Sequence, residues 1–310
     1  MEMTATPARG SRIAGYLFAV AAGSLWGMTG TLSTALYNQG AAITGIGFWR
    51  LLLGIGGLLV YGVFRRDMFR ADGKGWLVVG LGGGMLVAMF ELGYQYAIAG
   101  AGVAGAAALL YTAPVIVALL AKPLLGEKIT PIRLLLAVLV MVGATLTING
   151  GSNTGAESAS RGLAAGVVGG GLAALSYAGT TLLARWAVPR YGVVKVLFLE
   201  IVGGAAVLFV VLGLWHQTPQ APATPAAWLF IAILAAATVL AANFLFFNAT
   251  RRIEAAPTAV AATIEPVMAA ILAFMLFRQH LAPYGVLGLL MVVGGVAGGY
   301  LQEWKAQRQT

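Results

Sequence analysis

Of 310 residues, 60% are hydrophobic and only 9% are charged, with a mean hydropathy of +0.88; an average soluble domain is roughly a quarter charged, so this inventory excludes a water-facing surface. The formal charge of +9 comes from 19 Lys and Arg against 10 acidic residues. These bases lie in short loops between apolar runs instead of clustering on one element, which excludes a nucleic-acid footprint.

Apolar windows of about 20 residues, each long enough to cross the hydrocarbon core, follow in chain order after a tail of residues 1–12. The first runs from Ile13 to Tyr37, too long for a signal-peptide core and without a small-residue cleavage site, so it is read as a retained span. The second, Ile43 to Phe64, holds Arg50; the third, Gly75 to Ala99, holds Glu91 and Tyr94. Gly100-x-Gly102-x-x-Gly105 satisfies a dinucleotide fingerprint, but no strand precedes it, and a tight turn is expected there. The fourth, Val103 to Leu125, holds Tyr111 and Pro114, and the fifth runs from Pro131 to Asn149. Residues 150–161, rich in Gly, Ser and Asn, form a linker. Five more windows follow: Gly162 to Ala187, Gly192 to Gly213, Ala226 to Thr250, Ala255 to Phe277 and Pro283 to Glu303, with a tail of residues 304–310. Between the seventh and eighth, Pro219, Pro222 and Pro225 predict an extended connection.

Charge tests that count. If odd spans run outward, one side receives sixteen bases: Arg9, Arg12, Arg65, Arg66, Arg70, Lys74, Lys122, Lys128, Arg133, Arg185, Arg190, Lys195, Arg251, Arg252, Lys305 and Arg308. The other receives only Arg161 and Arg278. By the positive-inside rule both termini are expected in the cytoplasm.

A shift of 152 residues pairs residues 97–143 with 249–295, and 13 of the 47 pairs are identical, against about a tenth by chance. Pro114 matches Pro266, and Gly143 matches Gly295. Because five is odd, the second half enters the bilayer from the opposite side. The fold class predicted is therefore an all-α polytopic membrane protein of ten helices in two inverted repeats, residues 13–149 and 162–303. Transporters of that architecture bind cargo near the midplane where the halves meet.

Arg50, Glu91, Glu200 and Glu265 lie well inside spans, where each costs roughly 2.5–3.5 kcal/mol by insertion scales. By helical rise, Arg50 and Glu91 sit about 10 and 12 Å from the outer boundary. They are expected either as a structural ion pair or as a contact for one end of a zwitterion. Glu265, about 15 Å into the ninth span, is a candidate for a substrate amine or a coupling proton; Glu200, nearer the inner end, reads as structural. The repeat sets Glu91 opposite Asn243, Tyr94 opposite Phe246, and Trp26 near Tyr177. With Tyr111, these residues are candidates to line a pocket for a flat apolar substrate. Pro114 and Pro266 fall at matched mid-span positions, as static kinks or as symmetric hinges. Gly23/Gly27, Gly80/Gly84, Gly166/Gly170 and Gly294/Gly298 have the spacing that lets helix backbones approach closely.

Leu25-Trp26-Gly27, Phe48-Trp49-Arg50, and Pro114 followed by Gly126-Glu127-Lys128 and the Gly143 helix resemble the drug/metabolite transporter superfamily, specifically ten-helix exporters built of two EamA-type repeats. The second half departs from this pattern, with Arg278-Gln279-His280 in place of Gly126-Glu127-Lys128. Within the superfamily the resemblance is nearest to bacterial aromatic amino acid exporters, implying outward passage of small neutral amino acids across an inner membrane.

No cofactor is expected. The chain has no Cys and only His216 and His280, which makes a metal site improbable, and it has no nucleotide-binding loop for direct ATP drive. Proton-coupled efflux of lipophilic drugs is the competing reading. An intramembrane enzyme is remote, because neither His is mid-span.

Overall fold

The computed structural model describes residues 9–128, 130–151, 163–277 and 282–308; among them the chain is helical, with no strand. Eight segments are long and apolar enough to cross a bilayer, and Arg12–Trp26 and Pro131–Thr147 are shorter apolar helices. Together they answer the ten windows. The solvent dictates this: hydrocarbon offers no partner to a backbone N–H or C=O, so each span must bond its own. Of the linker expected at residues 150–161, the first two residues end the helix Pro131–Gly151 and residues 152–161 lie outside the described residues, as do Arg278-Gln279-His280.

The first span is two helices, α1 (Arg9–Trp26) and α2 (Met28–Asn38), meeting at Gly27; α3 (Ile43–Phe64) is the second. The third opens with α4 (Gly73–Gly75), capped by the Asp72 carboxylate, which accepts from the Gly75 amide at 2.9 Å. It passes through a π-helical stretch, Trp76–Gly83, into α5 (Gly84–Leu110). The residues of α5 are helical, but α5 is not one straight helix, because the chain turns back within it. Gly93 abuts Gly169 and Leu109 abuts Gly170, whereas a straight helix would hold Gly93 and Leu109 about 24 Å apart. The turn expected around Gly100 to Gly105 falls between them.

Helices α6 (Ala113–Leu125) and α7 (Pro131–Gly151) complete the first half. In the second, α8 (Leu163–Tyr191) and α9 (Val193–Leu214) are followed by α10 (Pro225–Leu234). A second π stretch, Ala235–Ala242, then leads into α11 (Asn243–Thr250). Next come α12 (Ala255–Ala262), α13 (Glu265–Phe277) and α14 (Pro283–Arg308). The proline-rich connection before α10 is non-helical and folds over the start of α3, where the Trp49 indole donates to the Gln220 carbonyl at 3.1 Å.

The halves are antiparallel. Glu127, just beyond the fourth span, accepts from the Ala255 amide that opens the ninth. These spans are repeat mates, so one ends where the other begins. Their interruptions match as well: α5 ends at Tyr111 with φ −72° and ψ 3°, and α12 ends at Thr263 with φ −69° and ψ 13°. Pro114 and Pro266 each sit second in the next helix, where a missing N–H costs little. Each expected kink is thus a full break, since neither proline can donate to the carbonyl four residues back, Leu110 or Ala262.

Glycines set the closest crossings, as they do where packing rather than water exclusion joins helices. A Cβ on Gly203 of α9 would overlap the Gly80 carbonyl, and one on Gly143 of α7 would lie 2.8 Å from the Gly288 carbonyl of α14. Gly23 presses on the Ala262 carbonyl and Gly27 on the Glu265 carbonyl, so the break in the first span rests on the break in the ninth. Gly170 and Gly298 also meet neighbours, Leu109 and Leu136, while a Cβ on Gly294 would meet open space.

Candidate functional site

Three aromatic rings from three spans converge in the largest apolar cluster. Trp26, at the end of α1, lies 5.9 Å from Tyr177 of α8 and 5.1 Å from Phe246 of α11; Tyr177 and Phe246 are 5.9 Å apart. These separations suit edge and tilted ring packing. The Trp26 indole N–H donates to the Thr238 carbonyl at 3.1 Å, inside the second π stretch. Asn243 Nδ2 donates to the same carbonyl at 3.2 Å and to that of Val239 at 2.9 Å. Side chains thus complete the bonding of an irregular helix in a setting where water cannot. Asn243, expected to face a substrate, has its amide nitrogen tied to its own helix.

Tyr111 and Glu265 stand at the two matched breaks. The Tyr111 hydroxyl lies close enough to the Glu265 carboxyl to interact with it, Tyr177 lies close enough to couple electrostatically with both, and Tyr94 with Tyr111. Tyr94 stacks on Phe90, with centroids 5.7 Å apart and planes 8° from parallel. Trp26, Tyr94, Tyr111, Tyr177, Phe246 and Glu265, drawn from the first, third, fourth, sixth, eighth and ninth spans, therefore form one constellation. Tyr111 and Tyr177 lie nearest the carboxyl, and Trp26 and Phe246 pack on Tyr177.

Glu91 sits one turn before Tyr94 and is bonded to Arg50 of α3. Glu200 of α9 is fully buried against Gly83 of the first π stretch, and its Oε1 has no partner among the described residues.

A second cluster, on the face carrying most of the bases, ties the halves together. Both Glu127 oxygens accept from the Ala255 amide at 3.0 Å, and Arg185 of α8 bonds Glu127 at 3.1 Å and the Thr250 carbonyl at 2.7 Å. Arg133 of α7 pairs with Glu254. Burial pushes the Glu127 carboxyl up from its ordinary value, against the pull of the Ala255 amide and Arg185. Its position at the start of α12 also meets the positive end of that helix. Sequence reading marked Glu127 only as part of a motif and missed Arg185 and the Arg133–Glu254 pair. The available signal was acids and bases at or near span ends on one face, a pattern that does not say which ends touch.

A family model described as the EamA-like transporter family matches the chain twice, over residues 13–149 and 164–300. The chain belongs to the EamA-like transporter family. That agrees with the resemblance carried by Trp26, Arg50, Pro114 and Glu127 and makes this a multi-pass membrane transporter. Its fold is shared with a solved structure titled only "Crystal structure of protein", at TM-score 0.80 and 19% identity over 95% of this chain and 99% of that one. No curated protein matches. Among EamA-like proteins the repeat unit is the five-helix half, and here the aromatic constellation draws on both halves while the Glu127 network joins them at one face.

The matched breaks supply a test. Pro114→Ala together with Pro266→Ala restores an N–H at each break and favours continuous helices. Flux through reconstituted vesicles is expected to fall severalfold while folded yield stays near wild type; unchanged flux would remove any hinge role for these prolines.

Proposed function

We propose that this transporter exports small neutral metabolites, chiefly amino acids including aromatic ones, by alternating access of its two halves. The supporting observation is the constellation at the junction of the halves: Tyr111 and Tyr177 beside the Glu265 carboxyl, with Trp26 and Phe246 packed on Tyr177 and Tyr94 near Tyr111. Such a wall suits a flat side chain, through stacking and edge contacts. A carboxyl at a helix break in the middle of the membrane offers a partner to an amine or a proton. The resemblance implies a bacterial inner membrane, and the charge partition supports both termini in the cytoplasm.

The Glu265 carboxyl also favours a second reading, proton-coupled efflux of lipophilic drugs, since a coupling group must exchange its proton during the cycle. One experiment separates the two. Labelled L-phenylalanine flux is measured in proteoliposomes with and without a pH gradient, for wild type and Glu265→Gln. Amino acid export predicts saturable L-phenylalanine flux in wild type. If the gradient accelerates it and Glu265→Gln removes only that acceleration, Glu265 carries the coupling proton. Absence of L-phenylalanine flux alongside gradient-driven extrusion of a lipophilic cation would overturn the amino acid reading in favour of drug efflux.

A further inference from the structure

Arg50 and Glu91 hold each other by one hydrogen bond, from Arg50 Nη2 to Glu91 Oε1. Arginine–carboxylate pairs frequently close as a two-bond fork, matching planar donors to both oxygens. This pair does not. Arg50 Nε and Glu91 Oε2 are both buried and both lack a hydrogen-bond partner among the described residues, while the side chains as a whole are 12% and 6% exposed. One ion pair at hydrocarbon depth thus carries an unmet cationic donor and an unmet anionic acceptor, where leaving either unsatisfied is costly. A pair kept only to lock α3 to α5 has no need of that arrangement.

Three further features point the same way. Glu91 and Tyr94 are three residues apart on one helix and so share a face, about 4.5 Å apart along the axis. Tyr94 in turn belongs to the aromatic constellation with Tyr111 and Glu265. Gly47, one turn before Arg50 on α3, is the residue against Glu91 Oε2: a Cβ there would come within 2.9 Å of that oxygen. Glycine keeps that flank of the carboxylate clear.

We propose that Arg50 and Glu91 form the head-group site for a zwitterionic α-amino acid, Arg50 Nε donating to the carboxylate and Glu91 Oε2 accepting from the ammonium. This rests on the amino acid reading given above. The aromatic constellation then receives the side chain, since a single methylene separates the ring of an aromatic amino acid from the α-carbon that bears both charged groups. The Arg50–Glu91 bond keeps both charges partnered between substrates, and a neutral drug would leave Nε and Oε2 unmet, so the pair selects for zwitterions.

The test compares three probes in proteoliposomes: L-phenylalanine, phenethylamine, which lacks the carboxylate, and 3-phenylpropionate, which lacks the ammonium. Wild type is expected to prefer L-phenylalanine. Arg50→Gln should raise KM for L-phenylalanine at least about tenfold, the scale of losing a hydrogen bond to a charged group, without raising it for phenethylamine. Glu91→Gln should do the same while sparing 3-phenylpropionate. Gly47→Ala, which keeps both charges, guards against misfolding and should raise KM for L-phenylalanine more than for 3-phenylpropionate. Unchanged probe ranking in all three variants, or wild-type L-phenylalanine kinetics in the Arg50→Gln, Glu91→Gln double variant, would overturn the head-group site and leave a structural pair. A wild type that carries none of the probes, or all of them equally, overturns the amino acid reading itself and the head-group site with it.

Discussion

Gly203→Ala is expected to be the most damaging single-methyl change in this protein. The added carbon would overlap the Gly80 carbonyl, and neighbouring Gly84 and Gly204 bring the same two spans together. No rotamer change relieves a clash between backbones, so the third and seventh spans must separate. Overpacking a core costs about 1–3 kcal/mol and occasionally more; here the upper end or beyond is expected, because close van der Waals packing is what joins helices in lipid. Thermal unfolding in detergent should show a large drop in Tm. Gly56→Ala is the control: a Cβ there would meet nothing within 4 Å, so stability should hold or rise slightly, as alanine is the better helix former. Equal effects of the two substitutions would contradict the close crossing.

Glu127→Ala is expected to destabilise the protein by about 3 kcal/mol, the scale for removing one member of a buried ion pair and leaving its partners unmet. It strips the Ala255 amide of both acceptor oxygens and, among the described residues, leaves Arg185 with the Thr250 carbonyl alone. Glu127→Gln, which retains an acceptor oxygen, should recover part of the loss. In a double-mutant cycle with Arg185→Ala, the coupling should exceed about 1 kcal/mol, whereas additive effects would mean that the two side chains act independently. Because Glu127 belongs to the first repeat and Arg185 and Ala255 to the second, that coupling measures an attachment between the halves.

The aromatic constellation was largely legible in advance because the repeat matched Tyr94 with Phe246 and Trp26 with Tyr177, and residues related by a pseudo-twofold near the midplane converge there. Asn243 was read less well. Alignment set it opposite Glu91, but the π stretch preceding it supplies carbonyls that occupy its amide nitrogen, and nothing in the run Ala235–Ala242 announces π bonding. The breaks at Tyr111 and Thr263 were half legible: proline marks where a helix loses a bond, yet whether the helix bends or stops depends on what packs against the freed carbonyl. At Ala262 that neighbour is Gly23, from a distant part of the chain.

Hydrophobicity, the placement of 19 bases and a 152-residue repeat were enough to determine a ten-span bundle in two inverted halves. Each of these is a property of local segments responding to a slab of hydrocarbon. The expected Arg50–Glu91 pair formed, but that it closes by a single bond was decided only by tertiary structure, as were the Glu127 attachment to Ala255 and Arg185 and the backbone crossing at Gly80 and Gly203. Pairings of that kind depend on distances of a few ångströms between residues far apart in the chain. Helix rotation and crossing angle set those distances, and an apolar run long enough to span a bilayer leaves both undetermined.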